Sequence, residues 1–157
     1  MVEKYQRRLY WHLRRLLVDH DDTDDVLQNT LINAWRAIPK FRHDSQLYTW
    51  LYRIATNEAL SFIKKSRRAR LLAYEEGGQA MSDLVDTSSY ISGDEISMKL
   101  QKAVLMLPAK QRLVFNMKYF DEMKYEDISE VLGTSVGGLK ASYHLAVKKI
   151  EKQVLQD

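Results

Sequence analysis

The sequence predicts an all-α chain made of two small helical domains joined by a flexible acidic linker, and three observations support this. Apolar residues recur at three- and four-residue steps along most of the chain, and no alternating run suggests a strand. Only 6 Gly and 2 Pro occur in 157 residues, so long helices are permitted, and the length suits one ordinary domain or two small ones. Charge is segmented: residues 1–70 carry 14 Lys/Arg against 8 Asp/Glu, residues 71–98 carry 6 acids and no base, and residues 99–157 carry 10 bases against 7 acids. Two basic blocks therefore flank an acidic one, although the net charge is only +3.

Along the chain, Tyr5, Leu9, Leu13, Leu16 and Leu17 form one face of a first helix. Asp19 to Asp25 breaks it, and the run His20-Asp21-Asp22-Thr23-Asp24-Asp25 offers an N-cap and dipole-compensating carboxylates for a second. The second helix has the stripe Val26, Leu27, Leu31, Ala34, Trp35 and Ile38, and Pro39 ends it. A calcium loop is excluded, because the aspartates lack the alternate spacing, central Gly and closing Glu it requires. After the short polar stretch 40–46, a third helix carries Leu47, Trp50, Leu51, Ile54 and Ala55 on one side and continues through Leu60 and Ile63. The basic block Lys64-Lys65-Ser66-Arg67-Arg68-Ala69-Arg70 closes this part.

Residues 71–93 contain Gly77-Gly78 and scattered Ser and Asp, which reads as linker. Leu71, Leu72, Leu84, Val85 and Ile91 within it can dock on a neighbour. The domain expectation is 1–66, linker 67–94, and 95–157. Ile96, Leu100, Ala103, Val104 and Leu107 form a fourth stripe, and Pro108 opens a fifth helix bearing Leu113, Val114, Met117 and Phe120. Tyr125 to Leu132 is a short helix with Tyr125, Ile128 and Leu132 inward. Gly133 takes the left-handed turn position, and Val136 to Val154 is a last long helix. Two helices joined by Leu132-Gly133-Thr134-Ser135 make a helix-turn-helix.

Composition excludes several chemistries. Cysteine is absent, so there is no disulfide framework, thiolate nucleophile or cysteine zinc site. The apolar runs are far too short to span a membrane, and a charged N-terminus gives no signal-peptide core, so a cytoplasmic protein without membrane insertion is expected. His12, His20, His43 and His144 are scattered, no catalytic residue or metal set is expected, and no cofactor is implied. The stretch Gly133 to Lys140 is not a phosphate loop, since Lys140 does not directly follow the second glycine and no strand precedes it. Gly137-Gly138 instead permits close approach of another backbone or of DNA phosphate. The basic clusters Arg7-Arg8, Arg14-Arg15 and 64–70 could release counterions from a nucleic acid.

A specific pattern lies over these elements. Asp24-Asp25-Val26-Leu27-Gln28-Asn29-Thr30, Asn33-Ala34-Trp35-Arg36-Ala37, Lys40-Phe41-Arg42 and Tyr48-Thr49-Trp50-Leu51-Tyr52-Arg53-Ile54-Ala55-Thr56-Asn57 resemble the second conserved region of bacterial sigma factors of the extracytoplasmic-function class. Leu107-Pro108, Gln111-Arg112, Val114-Phe115, Tyr119-Phe120, Tyr125-Glu126-Asp127-Ile128, Ser135-Val136-Gly137, Lys140, His144 and Ala146 resemble that family's fourth region. Members generally carry about another helix ahead of the segment that begins here at Tyr5.

The resemblance implies a subunit that binds core RNA polymerase, recognises promoter DNA and assists strand opening, while the polymerase performs the chemistry; an anti-sigma factor is a further implied partner. Asp25, Gln28, Asn29, Asn33 and Trp35 correspond to the polymerase-docking surface, with Asn29 where the family usually has Glu. Phe41, Arg42, His43, Asp44 and Ser45, with Asn57, match a pocket for a base flipped from the minus-10 element. There Asn57 and Asp44 would supply polar edges and Phe41 a wall, while Tyr48, Arg53 and the basic block would follow phosphates. Trp50 reads as core. Lys140 and His144 match positions that enter the major groove at the minus-35 element, beside Ser135. Ala141 and Leu145 stand where the family often has Ser and Arg, which implies readout through shape and apolar contact. The rival is a helix-turn-helix regulator that binds an operator without polymerase. A nucleic-acid-processing enzyme would need a carboxylate triad or metal-ligand spacing, and neither is found.

Overall fold

The computed structural model describes residues 2–44, 46–75 and 95–156. The chain divides into two compact units, with the boundary between Asp86 and Thr87. Residues 76–94 of the expected linker lie outside the described residues.

The first unit is a three-helix bundle of α1 (Val2–Leu17), α2 (His20–Ala37) and α3 (Leu47–Glu75), each packed on the other two. In α1 the buried positions Leu9, His12, Leu13 and Leu16 follow the helical period. His12 is wholly enclosed, with Nε2 2.9 Å from Thr56 Oγ1 and its ring 4.6 Å from Tyr52. The chain reverses at Val18, whose φ of 67° is a left-handed conformation rare for a β-branched residue. Asp19 then caps α2, its Oδ1 accepting from the Asp22 N–H at 2.9 Å. The N-cap therefore lies one residue before the acidic run assigned to it.

The buried face of α2 is Thr23, Val26, Leu27, Thr30 and Ala34. Both threonines can be inside because their hydroxyls donate to carbonyls one turn back, Thr23 to Asp19 O at 2.7 Å and Thr30 to Val26 O at 2.8 Å. Helix α3, packed on α2, buries the small residues Ala55, Thr56 and Ala59. This rotates the stripe away from Trp35, which was expected to face inward and is 75% exposed. A 3-10 turn at Ile38–Lys40 contains Pro39 and ends α2. Helix α3 continues through the basic block, so the boundary expected at 66 falls inside a helix that runs on to Glu75.

The second unit contains α4 (Glu95–Leu105), α5 (Ala109–Phe115), a π-helical turn (Asn116–Phe120), α6 (Tyr125–Leu132) and α7 (Val136–Leu155). Helix α7 packs on α4, α5 and α6, and Ala146 and Ile150 join Ala103, Val104, Leu107 and Phe115 in the core. Ile96, placed in the fourth stripe, is 72% exposed at the open first turn of α4. The fifth helix does not stay regular to Phe120. Its π turn carries Asn116 into the interior at 1% exposure, and neither Nδ2 nor Oδ1 has a hydrogen-bond partner among the described residues. Gly133 ends α6 at φ 68°, its N–H donating to Ser129 O at 2.8 Å. Ser135 starts α7, with Oγ accepting from the Gly138 N–H at 3.1 Å. No described helix is long and apolar enough to cross a membrane.

Candidate functional surfaces

The outer side of α2 is the first surface. Asp25, Gln28, Asn29 and Trp35 are exposed on a helix whose opposite face is buried. Ile32 joins them at 41% exposure, a residue that sequence reasoning missed although its place opposite the buried stripe could have shown it. Exposed Trp and Ile among amides make a surface that gains free energy when a partner covers it. Asn33 differs from its neighbours: it is half-buried and donates from Nδ2 to Glu58 Oε1 at 2.5 Å. Where α2 begins, the Asp22 carboxyl is raised above its usual range, first by burial and then by Asp19 and Asp25, while Arg70 opposes the shift.

The second surface is the loop between α2 and α3 with the first turns of α3. The 3-10 turn delivers Phe41, whose N–H donates to Ile38 O at 3.1 Å. The Phe41 ring is half-buried, 4.6 Å from His43 and 5.0 Å from Trp50. Trp50 is therefore a half-buried member of the loop's aromatic cluster, where a core position was expected. Arg42, His43 and Asp44 are exposed, and Ser45 lies outside the described residues. Tyr48 is half-buried near Tyr52, and the Arg8 guanidinium on α1 lies 5.5 Å from the Tyr48 ring and 5.8 Å from that of Tyr52. Arg53 and Asn57 are exposed further along α3, at helical spacing from Trp50. The structure thus gathers Phe41, His43 and Trp50, and separately Tyr48 with Arg8. Among the basic clusters, Arg7, Arg8, Lys64, Lys65, Arg67, Arg68 and Arg70 are exposed. Arg14 is not: at 6% exposure in the α1 interface it cannot reach a phosphate.

The third surface is α7. Lys140, Ala141, His144 and Leu145 are exposed on one side, while Leu139 and Ala146 are buried on the other. Ser135, also exposed, uses its hydroxyl as the helix cap. Gly137 has no atom within 4 Å of where a Cβ would stand, so nothing in the described chain uses the close approach it permits; at Gly138 a Cβ would meet Ser135 and Thr134 at 3.2 Å. Behind α7, Tyr143 stacks on Phe115 at 5.8 Å, and burial, Tyr125 and Tyr119 raise its phenol. Two ammoniums lie near the Tyr125 ring, Lys118 at 4.4 Å and Lys140 at 5.7 Å; sequence reasoning missed Lys118, which has no motif signal. Among the described residues no group of three or more His, Cys, Asp or Glu is placed to hold a metal ion.

Comparison with known proteins matches residues 1–69 to the family Sigma-70 region 2 and residues 97–150 to Sigma-70, region 4. The chain is 32% identical to the RNA polymerase sigma-H factor of Pseudomonas aeruginosa, with 97% of this chain and 83% of that protein aligned. It is 31% identical to the ECF RNA polymerase sigma factor SigW of Bacillus subtilis, covering 98% and 87%. Among solved structures, the sigma factor RpoE of Bartonella quintana, in complex with the anti-sigma factor NepR, superposes with a TM-score of 0.79 at 27% identity, covering 99% and 95%.

Proposed function

The chain belongs to the sigma-70 family, in its extracytoplasmic-function class, and from that premise we propose how its surfaces divide the work of a sigma factor. The protein binds core RNA polymerase and directs promoter recognition at transcription initiation, in the cytoplasm, while the polymerase carries out the chemistry. The observation that carries this reading is the order of the two matched regions, one on each helical unit.

In this reading the first domain, extended from the expected 66 to the end of α3, docks on polymerase through Asp25, Gln28, Asn29, Trp35 and the exposed part of Asn33. Apolar Trp35 and Ile32 supply area and the amides supply orientation. The loop 41–46 and Asn57 receive a base flipped from the minus-10 element, and Tyr48, Arg53 and the exposed basic block follow phosphates. The chain after α3 connects to the second domain, 95–157, whose Lys140, Ala141, His144 and Leu145 face the minus-35 major groove, with Ser135 setting the start of that helix. An anti-sigma protein is a further partner, as for the Bartonella quintana relative.

The test is transcription from a pool of promoter fragments by purified core polymerase with and without this chain. Start sites that appear only with the chain support the reading. Tight, sequence-specific DNA binding by the chain alone, with no polymerase-dependent transcript, points to the operator-binding rival.

A further inference from the structure

We propose that His43 is the surface on which an unpaired promoter base stacks, and that Phe41 and Trp50 are positioning residues holding His43 in place. The proposal rests on the minus-10 reading above and changes which ring performs it.

Phe41 is already engaged on two sides. His43 lies 4.6 Å away at 59° and Trp50 5.0 Å away at 39°. Phe41 thus touches both rings; it and Trp50, which belongs to α3, are half-buried, while His43 is exposed. Of the three rings the imidazole is the most open to a base arriving from solvent. His43 has φ 60°, the left-handed region that glycine favours and that histidine enters more readily than most other side chains. Glycine would fit that backbone with less strain, so the side chain at this position adds something that the turn does not require. An exposed flat ring braced by a tilted neighbour is a stacking platform, and every base offers it a π-face. The imidazole edge can also donate or accept a hydrogen bond, which gives a base preference that a phenyl ring lacks. Exposed Asp44, the next residue, can accept from an exocyclic amine of the same base.

Holoenzyme assembled from core polymerase and the full chain is used to select from fork-junction DNA randomised over its single-stranded minus-10 segment. His43→Gly relieves the backbone and removes the ring, so core assembly is expected to remain normal. Affinity for the wild-type-selected DNA should fall by at least about tenfold, with preference lost at one position. His43→Phe should retain most of that affinity with a relaxed base preference, and Trp50→Leu should weaken the same position. An abasic residue there should cost the wild type as much as His43→Gly costs on intact DNA, and the two changes together no more than either alone. His43→Gly binding like a selective wild type, additive losses, or His43→Phe failing as glycine does would each overturn the proposal while leaving the minus-10 reading standing. A wild type that selects no single-stranded sequence overturns both.

Discussion

Asn33 on α2 and Glu58 on α3 are joined side chain to side chain, Nδ2 donating to Oε1 across 25 positions of sequence. The partly buried bond ties α2 to the helix that carries Asn57. Asn33 is thus shared between surface and fold, whereas Gln28, Asn29 and Trp35 are free of the bundle interior.

That difference separates two sets of variants. Gln28→Ala with Trp35→Ala should leave thermal stability within about 0.5 kcal/mol of wild type, as expected for exposed positions. Affinity for core polymerase should fall at least about tenfold, since an exposed Trp is the kind of residue that dominates an interface. Asn33→Ala should instead lose about 1 kcal/mol of stability by leaving Glu58 without its donor. Denaturant melts alongside polymerase titrations make the distinction, and a double variant with unaltered polymerase affinity would move the docking surface off α2.

Asn116→Leu should stabilise the second unit by about 1 to 2 kcal/mol. The amide is enclosed in the π turn with neither polar atom partnered among the described residues, and a buried polar group left in that state costs about 1 to 3 kcal/mol. Leucine has the same branching and the same number of side-chain heavy atoms, and removes that cost. A urea midpoint that falls in the variant would show that the amide has a partner stabilising the turn.

Particular residues show what the sequence could carry. The starts of α3 at Leu47 and α6 at Tyr125, and the turn at Gly133, were legible because a polar stretch, a motif boundary and a left-handed glycine are local signals. The all-α class was legible in the three- and four-residue apolar steps and the scarcity of Gly and Pro. The π turn was not, because one extra residue per turn shifts a helical stripe without erasing it. Arg14 reads as a solvated cation until α1 packs, and the inward rotation of α2 depends on threonines that look polar in isolation. The Asn33–Glu58 bond and the Phe41–His43–Trp50 cluster join residues on different elements, which periodicity cannot see.

Asp22→Asn should raise the melting temperature at pH 7. The carboxyl is raised above its unfolded value by burial first, then by Asp19 and Asp25, against a smaller opposing effect of Arg70. The folded chain therefore holds that proton more tightly than the unfolded chain. Its contribution to stability is fully present below the unfolded value and is lost as pH rises through the raised folded value. The advantage of asparagine should shrink toward zero as pH falls below the ordinary aspartate range, and salt should reduce it at neutral pH. Melts across pH that show the wild type ahead at pH 7 would reverse the sign.

Lys140→Ala and His144→Ala should impair minus-35 recognition and leave polymerase assembly through α2 unaffected. The two residues lie one turn apart on the exposed side of α7, but their neighbourhoods differ. Lys140 is a cation 5.7 Å from the Tyr125 ring, near a second ammonium on Lys118, which suits a phosphate and permits a guanine edge. His144 is exposed beside Leu145 and can donate or accept on a base edge. Losing a phosphate contact weakens all sequences alike and reduces the salt slope by about 1, whereas losing a base contact costs about 1 to 3 kcal/mol at one position. His144→Ala should show the second pattern and Lys140→Ala a mixture of both. Holoenzyme binding to minus-35 variants at several salt concentrations reads the two apart, and wild-type behaviour of both variants would place the DNA-facing side of α7 elsewhere.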